Sequence, residues 1–275
     1  MEPPRKTGHA AKVLALSLGF LALSVPANSQ SVVDVELVLA VDVSLSMSPD
    51  ELEIQRRGYA EALVHDDVLN AILGGLHGRI AIAYFEWAGM GTQRLVLPWT
   101  VIASHGDARK VAETLSVDPP ASARRTSISG ALDFALTLFQ ETSFSGLRRV
   151  VDISGDGPNN QGLPVDEARD ALTSRGITIN GLPLMTNGGL TTRFDVRDLD
   201  TYYQDCVIGG PGAFVLPVND WDQFAEAVRR KLVIELAGTA GAEDAVNVVK
   251  VQSSSYDCLI GEKMWDDRSW RWPAP

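Results

Sequence analysis

Residues 35–48 read Val-Glu-Leu-Val-Leu-Ala-Val-Asp-Val-Ser-Leu-Ser-Met-Ser, and this segment limits the possible folds more than any other. Five consecutive apolar residues, Leu37 to Val41, predict a strand covered on both faces, as in a parallel sheet flanked by helices. The strand stops on Asp42, and hydroxyls follow at +2 and +4 in Ser44 and Ser46. The region just past the carboxyl end of a strand is where open α/β sheets bind ligands. Oxygen donors at i, i+2 and i+4 on a tight loop can converge on one hard cation. The same residues also suit a helix cap, because Asp and Ser are favoured N-caps and Pro49-Asp50-Glu51-Leu52 resembles a helix start. On this segment alone both readings stand.

The rest of the chain alternates strand and helix patterns. Asp50–Leu69 has helical spacing, and Arg79–Trp87 reads as a second strand. A third strand, Arg94–Leu97, is stopped by Pro98. The short glycine-containing link between the second and third strands predicts an antiparallel hairpin. Ser104–Leu115 and Thr126–Gln140 are amphipathic helices, and Arg148–Ser154 is a strand broken by Gly155-Asp156-Gly157-Pro158. Pro164–Arg175 is a helix closed by Gly176, then Ile177–Leu184 a strand and Thr186–Pro211 an irregular stretch. Ala213–Val218 is expected as a last strand and Asp220–Leu236 as a last helix. This order predicts an α/β fold: a doubly wound, mostly parallel sheet with one antiparallel edge strand. The domain is expected over residues 30–237. Residues 238–275, with Trp265, Trp270 and Trp272, form an extension expected to pack back on it.

The first 29 residues differ in kind. Arg5, Lys6 and Lys12 precede an apolar stretch, Val13 to Val25, too short to span a bilayer comfortably. Ala27-Asn28-Ser29 offers the small residues a signal peptidase reads, so residues 1–29 are expected to be a signal peptide; an uncleaved anchor is the alternative. No other segment predicts membrane insertion. The chain has a net charge of −11, and removing the +2 of residues 1–29 leaves −13. That balance disfavours nucleic acid and anionic lipid as partners. A periplasmic or secreted location allows the two cysteines, Cys206 and Cys258, to pair. The bond would close a loop of about 50 residues and contribute on the order of 3–4 kcal/mol in the chain-entropy model. Two separate thiols are the other possibility. Neither cysteine belongs to a CxxC or a Cys/His cluster, which disfavours a zinc site or a thiol oxidoreductase.

Two further segments end where the first one ends, on the carboxyl side of the sheet. One is Arg124-Arg125-Thr126-Ser127-Ile128-Ser129-Gly130, which leads into a helix; the other is Asp152-Ile153-Ser154-Gly155-Asp156-Gly157. Singly, Thr126 reads as a helix cap and Asp156 as a turn residue. If their loops abut the first, Asp42, Ser44, Ser46, Thr126 and Asp156 form an all-oxygen set suited to Mg²⁺, with Mn²⁺ or Ca²⁺ possible. Asp42-x-Ser44-x-Ser46, Thr126 in Thr-Ser-Ile-Ser-Gly-Ala-Leu and Asp156 in Ser-Gly-Asp-Gly resemble the metal-ion-dependent adhesion site (MIDAS) of von Willebrand factor type A (vWA) domains. The resemblance runs from about residue 33 to 236. In detail it is to a secreted bacterial group of that type without an assigned biochemical role, whose own signature is similar to Asp205–Phe214. The resemblance implies that Ser44, Ser46 and Thr126 coordinate the ion directly, with Asp42 and Asp156 close by, often acting through water. It also implies a protein ligand that supplies an Asp or Glu carboxylate.

Mostly neutral hydroxyls around an ion leave it positive and open to a partner carboxylate, which fits binding better than turnover. No His or Lys stands in the three loops to serve as a general base. Asp152 and Glu86 are the remaining nearby carboxylates, read as structural or rim residues. The enzymatic alternative is a metal-dependent phosphohydrolase with Asp42 as nucleophile. That chemistry usually wants a second carboxylate at +2, where this chain has Ser44. A purely structural copy of the domain is a third reading, opposed by the intact oxygen set.

Overall fold

The computed structural model describes Met1 and residues 30–117, 122–186, 196–237 and 256–269. The expected signal peptide, apart from Met1, lies outside the described residues, as do Trp270 and Trp272. The central strand is β1 (Ser31–Asp42), buried from Val33 to its end. Its alternating side chains divide between two apolar layers. Val35, Leu37, Leu39 and Val41 join α1 (Pro49–Leu63), α2 (Asp66–Leu73), α3 (His105–Val117) and α7 (Phe224–Ala237). Val38 and Ala40 join α4 (Ile128–Glu141), α5 (Val165–Thr173) and the segment Leu199–Val207. The period of two in a strand turns one apolar run into two cores. That segment consists of α6 (Leu199–Tyr202) and a π turn (Tyr203–Val207).

The sheet has the order β3-β2-β1-β4-β5, with β2 (Ile80–Trp87), β3 (Arg94–Ile102), β4 (Phe144–Gly155) and β5 (Ile177–Pro183). All neighbours are parallel except β2 and β3. From β1 the chain crosses to β2 on one side and later returns as β4 on the other. The carboxyl ends of β1 and β4 therefore flank the topological switch point, where such sheets bind ligands. Asp42 ends β1, and Asp156 follows β4 directly.

Four elements differ from the sequence reading, one being the stretch expected as irregular over 186–211, which holds α6 and the π turn. The helix expected over 50–69 is two helices, because His65 adopts an extended conformation and caps α2, its Nδ1 accepting from Asp67 N at 3.2 Å. Asp66 and Asp67 then occupy the first turn, where the helix dipole favours acids. The third strand runs on through Pro98 to Ile102, since β3 is an edge strand and can carry a residue without an N–H. Ala213–Val218 is not a full strand. It lies beside β5 through bridges at Gly181–Val215 and Leu184–Val218, and Pro217 interrupts the ladder between them.

Beyond the sheet, α8 (Ile260–Ser269) lies against the loop after β4, where Glu262 meets Asn159. Cys206 of the π turn is bonded to Cys258 just before α8, with Cα atoms 5.5 Å apart. No described helix is long and apolar enough to cross a membrane.

Candidate functional site

The first question at the site is which hydroxyls serve helix caps. Ser48 caps α1 in a capping box: its Oγ accepts from Glu51 N at 3.3 Å, and its N donates to Glu51 Oε2 at 2.7 Å. Ser127, not Thr126, caps α4, accepting from Gly130 N at 3.1 Å. Capping therefore consumes neither Ser44, Ser46 nor Thr126. Ser44 and Ser46 Oγ lie 2.8 Å apart, and Ser46 Oγ donates to Asp156 Oδ1 at 2.8 Å. Ser44 Oγ is 3.5 Å from the same oxygen. Asp42 Oδ1 accepts from Ser44 N at 2.7 Å. Thr126 lines one cleft of about 410 Å³ with Ser44, Ser46 and Asp156. All five candidate residues thus meet at the switch point, Asp42 beneath the cleft and the other four in its wall.

The loops are locked to one another from behind. Leu45 N donates to Ala123 O, and Ala123 N to Val43 O, joining the first loop to the second. Asn160 Oδ1 accepts from Thr126 N at 3.0 Å, while Asn160 N donates to Thr126 O at 2.8 Å. Asn159 Oδ1 accepts from Ser129 N at 3.0 Å. Gln55 Nε2, from α1, donates to Asp42 O at 2.8 Å. Gly155 is needed for closeness: a Cβ there would stand 2.8 Å from Tyr203 Oη and 2.9 Å from Asp42 Oδ2. Gln55, Asn159, Asn160 and Tyr203 escaped the sequence reading, which took Gly155 only as part of the turn around Asp156. Only the Asn-Asn pair in the turn carried a signal, as residues whose short amides bond to nearby backbone.

Electrostatically the site lacks positive charge at its centre. Asp42 is fully buried, and its Oδ2 has no hydrogen-bond partner among the described residues. Burial, and then the negative charge of Asp156, push the Asp42 carboxyl well above its usual range, against hydrogen bonds from Ser44 and from the Asp156 backbone. An orphaned buried carboxylate oxygen beside a second carboxylate and three hydroxyls is an arrangement that a divalent cation would satisfy. Among the described residues no three His, Cys, Asp or Glu cluster as a metal site, so an ion here would depend on hydroxyls.

The other two carboxylates stand elsewhere. Glu86 is buried between Arg56 and Arg94, the latter at 2.8 Å. Asp152 is buried against Lys231 of α7, 2.6 Å away.

This fold, with its loops at the β1/β4 end, is that of a vWA-type α/β domain, and solved structures bear out the architecture. The chain is similar to proximal thread matrix protein 1 from the mussel byssus, at 17% identity and TM-score 0.53, over 76% of this chain and 49% of that one. That protein has also been solved with a zinc-occupied MIDAS motif (14% identity, TM-score 0.51, 74% and 46% covered). It is similar as well to a von Willebrand factor type A structure from Catenulispora acidiphila (15% identity, TM-score 0.50, 75% and 43% covered). A further neighbour is the pilus adhesin SpaC from Lactobacillus rhamnosus GG (11% identity, TM-score 0.54, 76% and 32% covered). The chain spans about half or less of the length of these proteins. No functionally curated protein matches it. The chain belongs to the family described as "Protein of unknown function (DUF1194)", whose model matches residues 32–240.

Proposed function

We propose that this protein is an exported, metal-dependent protein-binding module. Ser44, Ser46 and Thr126 would hold a divalent ion, Mg²⁺ in the first instance, with Asp42 and Asp156 beside it. When bound, the ion supplies an open positive position for an Asp or Glu carboxylate of a partner protein. The observation that carries this reading is the convergence of Ser44, Ser46 and Asp156 oxygens over the orphaned Asp42 Oδ2. The mussel protein with zinc at its MIDAS motif is a precedent for an ion on this fold. Export rests on the basic and apolar character of residues 1–29 together with the Cys206–Cys258 bond.

Binding is favoured over hydrolysis by what surrounds Asp42. Its Oδ1 is occupied by the Ser44 amide, the residue at +2 is a serine, and the buried Lys231 of α7 is committed to Asp152 and Glu235. No His or Lys stands in the three loops to serve as a general base.

The test is a Mn²⁺ titration followed by loss of the free-ion electron paramagnetic resonance signal. One site is expected, competed by Mg²⁺, abolished in Asp42→Ala and weakened at least about tenfold in Thr126→Ala. The immobilised protein should then retain exported proteins in Mg²⁺ and release them on chelation. A chain that binds no divalent ion at millimolar concentration, or whose captures survive Asp42→Ala, overturns the reading.

A further inference from the structure

The cleft over the site oxygens has a second wall of different charge. Arg124, Arg125 and Trp265 line the cleft together with Ser44, Ser46 and Asp156. The Arg125 guanidinium lies over the Trp265 ring, 3.2 Å from its centroid, a close cation–π stack. Arg125 has φ +77°, and among the described residues it alone adopts a positive φ without being glycine. Such a conformation costs a side-chain-bearing residue energy and persists where the surroundings dictate it. Arg125 is half-buried in this cleft. A strained, half-buried cation stacked on an indole thus lines the cleft that holds the candidate ion site.

Trp265 arrives from far along the chain, and its position is fixed in three ways. The Cys206–Cys258 bond anchors the start of its segment. Glu262 Oε1 accepts from Asn159 Nδ2 at 2.6 Å, in the loop that also holds Thr126. Gly261 lies so close to that loop that a Cβ would stand 2.0 Å from Asn159 O. The C-terminal helix is therefore a built wall of the cleft, and it orients Arg125.

We infer that Arg125, held by Trp265, reads a second acidic side chain of the partner, so that the cleft recognises a short segment carrying two neighbouring carboxylates. This rests on the proposed ion site, which takes the first carboxylate. The two positive centres lie in one cleft of about 410 Å³, room for a few side chains. The whole chain carries a net charge of −11, so attraction of an acidic segment has to be local to this cleft. Guanidinium suits the task, since its fork matches a carboxylate while its face stays stacked on an indole.

The experiment uses the full exported chain in Mg²⁺ and two fluorescein-labelled Gly/Ser peptides, one with a single Glu and one with Glu-Ser-Glu, read by anisotropy. The two-acid peptide is expected to bind about tenfold more tightly. Arg125→Gln should bring it down to the level of the one-acid peptide, and Arg125→Glu should invert the order. Trp265→Ala should reduce the preference several-fold, with circular dichroism melts verifying that each variant folds. Equal binding of both peptides to the parent, or a preference that survives Arg125→Gln and Arg125→Glu, overturns the inference and leaves the Arg125–Trp265 stack as a staple for the C-terminal helix. If neither peptide shows Mg²⁺-dependent, Asp42-dependent binding, the carboxylate-docking reading fails first and this one with it.

Discussion

Ser44, Ser46 and Ser48 alternate along one loop, yet they divide between two tasks. Ser48 is turned to the backbone of α1 and completes its capping box, whereas Ser44 and Ser46 are turned to each other and to Asp156. Thr126 and Ser127 divide in the same way, the serine capping α4 and the threonine lining the cleft. The cap of α1 falls on Ser48, two residues after Asp42-x-Ser44-x-Ser46, so none of these three residues is used as that cap. Paired variants separate the tasks. Ser48→Ala should lower unfolding free energy by about 1 kcal/mol, the usual cost of losing a serine cap, with divalent-ion affinity unchanged. Ser46→Ala should do the reverse, weakening the ion at least about tenfold at little cost in stability. Urea denaturation and a Mn²⁺ titration on both proteins check this. A loss of ion affinity in Ser48→Ala equal to that in Ser46→Ala would mean that the loop acts as one structural unit.

Helix α7 is tied to the sheet by buried charge as well as by apolar packing. Lys231 meets Asp152 of β4 at 2.6 Å and also pairs with Glu235 one turn on, all three out of contact with solvent. Glu235 accepts from Asn180 Nδ2 of β5 at 2.9 Å. Arg148 of β4 donates to the carbonyls of Glu235 and Leu236 at 2.7 and 2.8 Å. Burial, then the negative charge of Asp152, push the Glu235 carboxyl up from 4.5 to about 7, against Lys231 and Asn180. Between those two values the folded chain holds more protons at this site than the unfolded chain. The contribution of Glu235 is therefore fully present below the unfolded value and declines as pH rises toward 7. Glu235→Gln cannot lose that proton, so its stability relative to the parent should rise from pH 5 to pH 8. Denaturant midpoints at unit pH intervals measure this, and a difference that stays flat over the range refutes the assignment. Lys231 shows why the network is not legible in sequence. In an amphipathic helix a lysine reads as solvated, and only the arrival of Asp152 from a strand about 80 residues earlier explains its burial.

At the scale of the molecule, the legible parts are those whose cause is local. The run Leu37–Val41 specifies a strand buried on both faces, and the three loop motifs fall on the carboxyl side because each follows a strand or precedes a helix. The break at His65 and the interrupted edge at Pro217 were less legible, because each sits inside a pattern that its neighbours continue. Least legible is the wall contributed by α8. Trp265 meets Arg125 across 140 residues, and composition cannot specify such a partner. The Cys206–Cys258 bond makes that distant meeting cheap in entropy. With the cysteines 52 positions apart, closing the loop stabilises the fold by about 4 kcal/mol in the chain-entropy model. Reduction by a dithiol, or Cys206→Ser with Cys258→Ser, should therefore lower the unfolding free energy by a few kcal/mol, equally in both cases. The loss should not be uniform in space, since local opening begins where few contacts remain. Residues 256–269 hold the domain through Asn159, Arg125 and the contact of Tyr256 with Asp198. Hydrogen exchange should show the amides of 256–269 losing protection on reduction while β1, buried on both faces, keeps its own. Protection unchanged in 256–269 would mean that the stack and the Asn159 contact hold the wall without the bond.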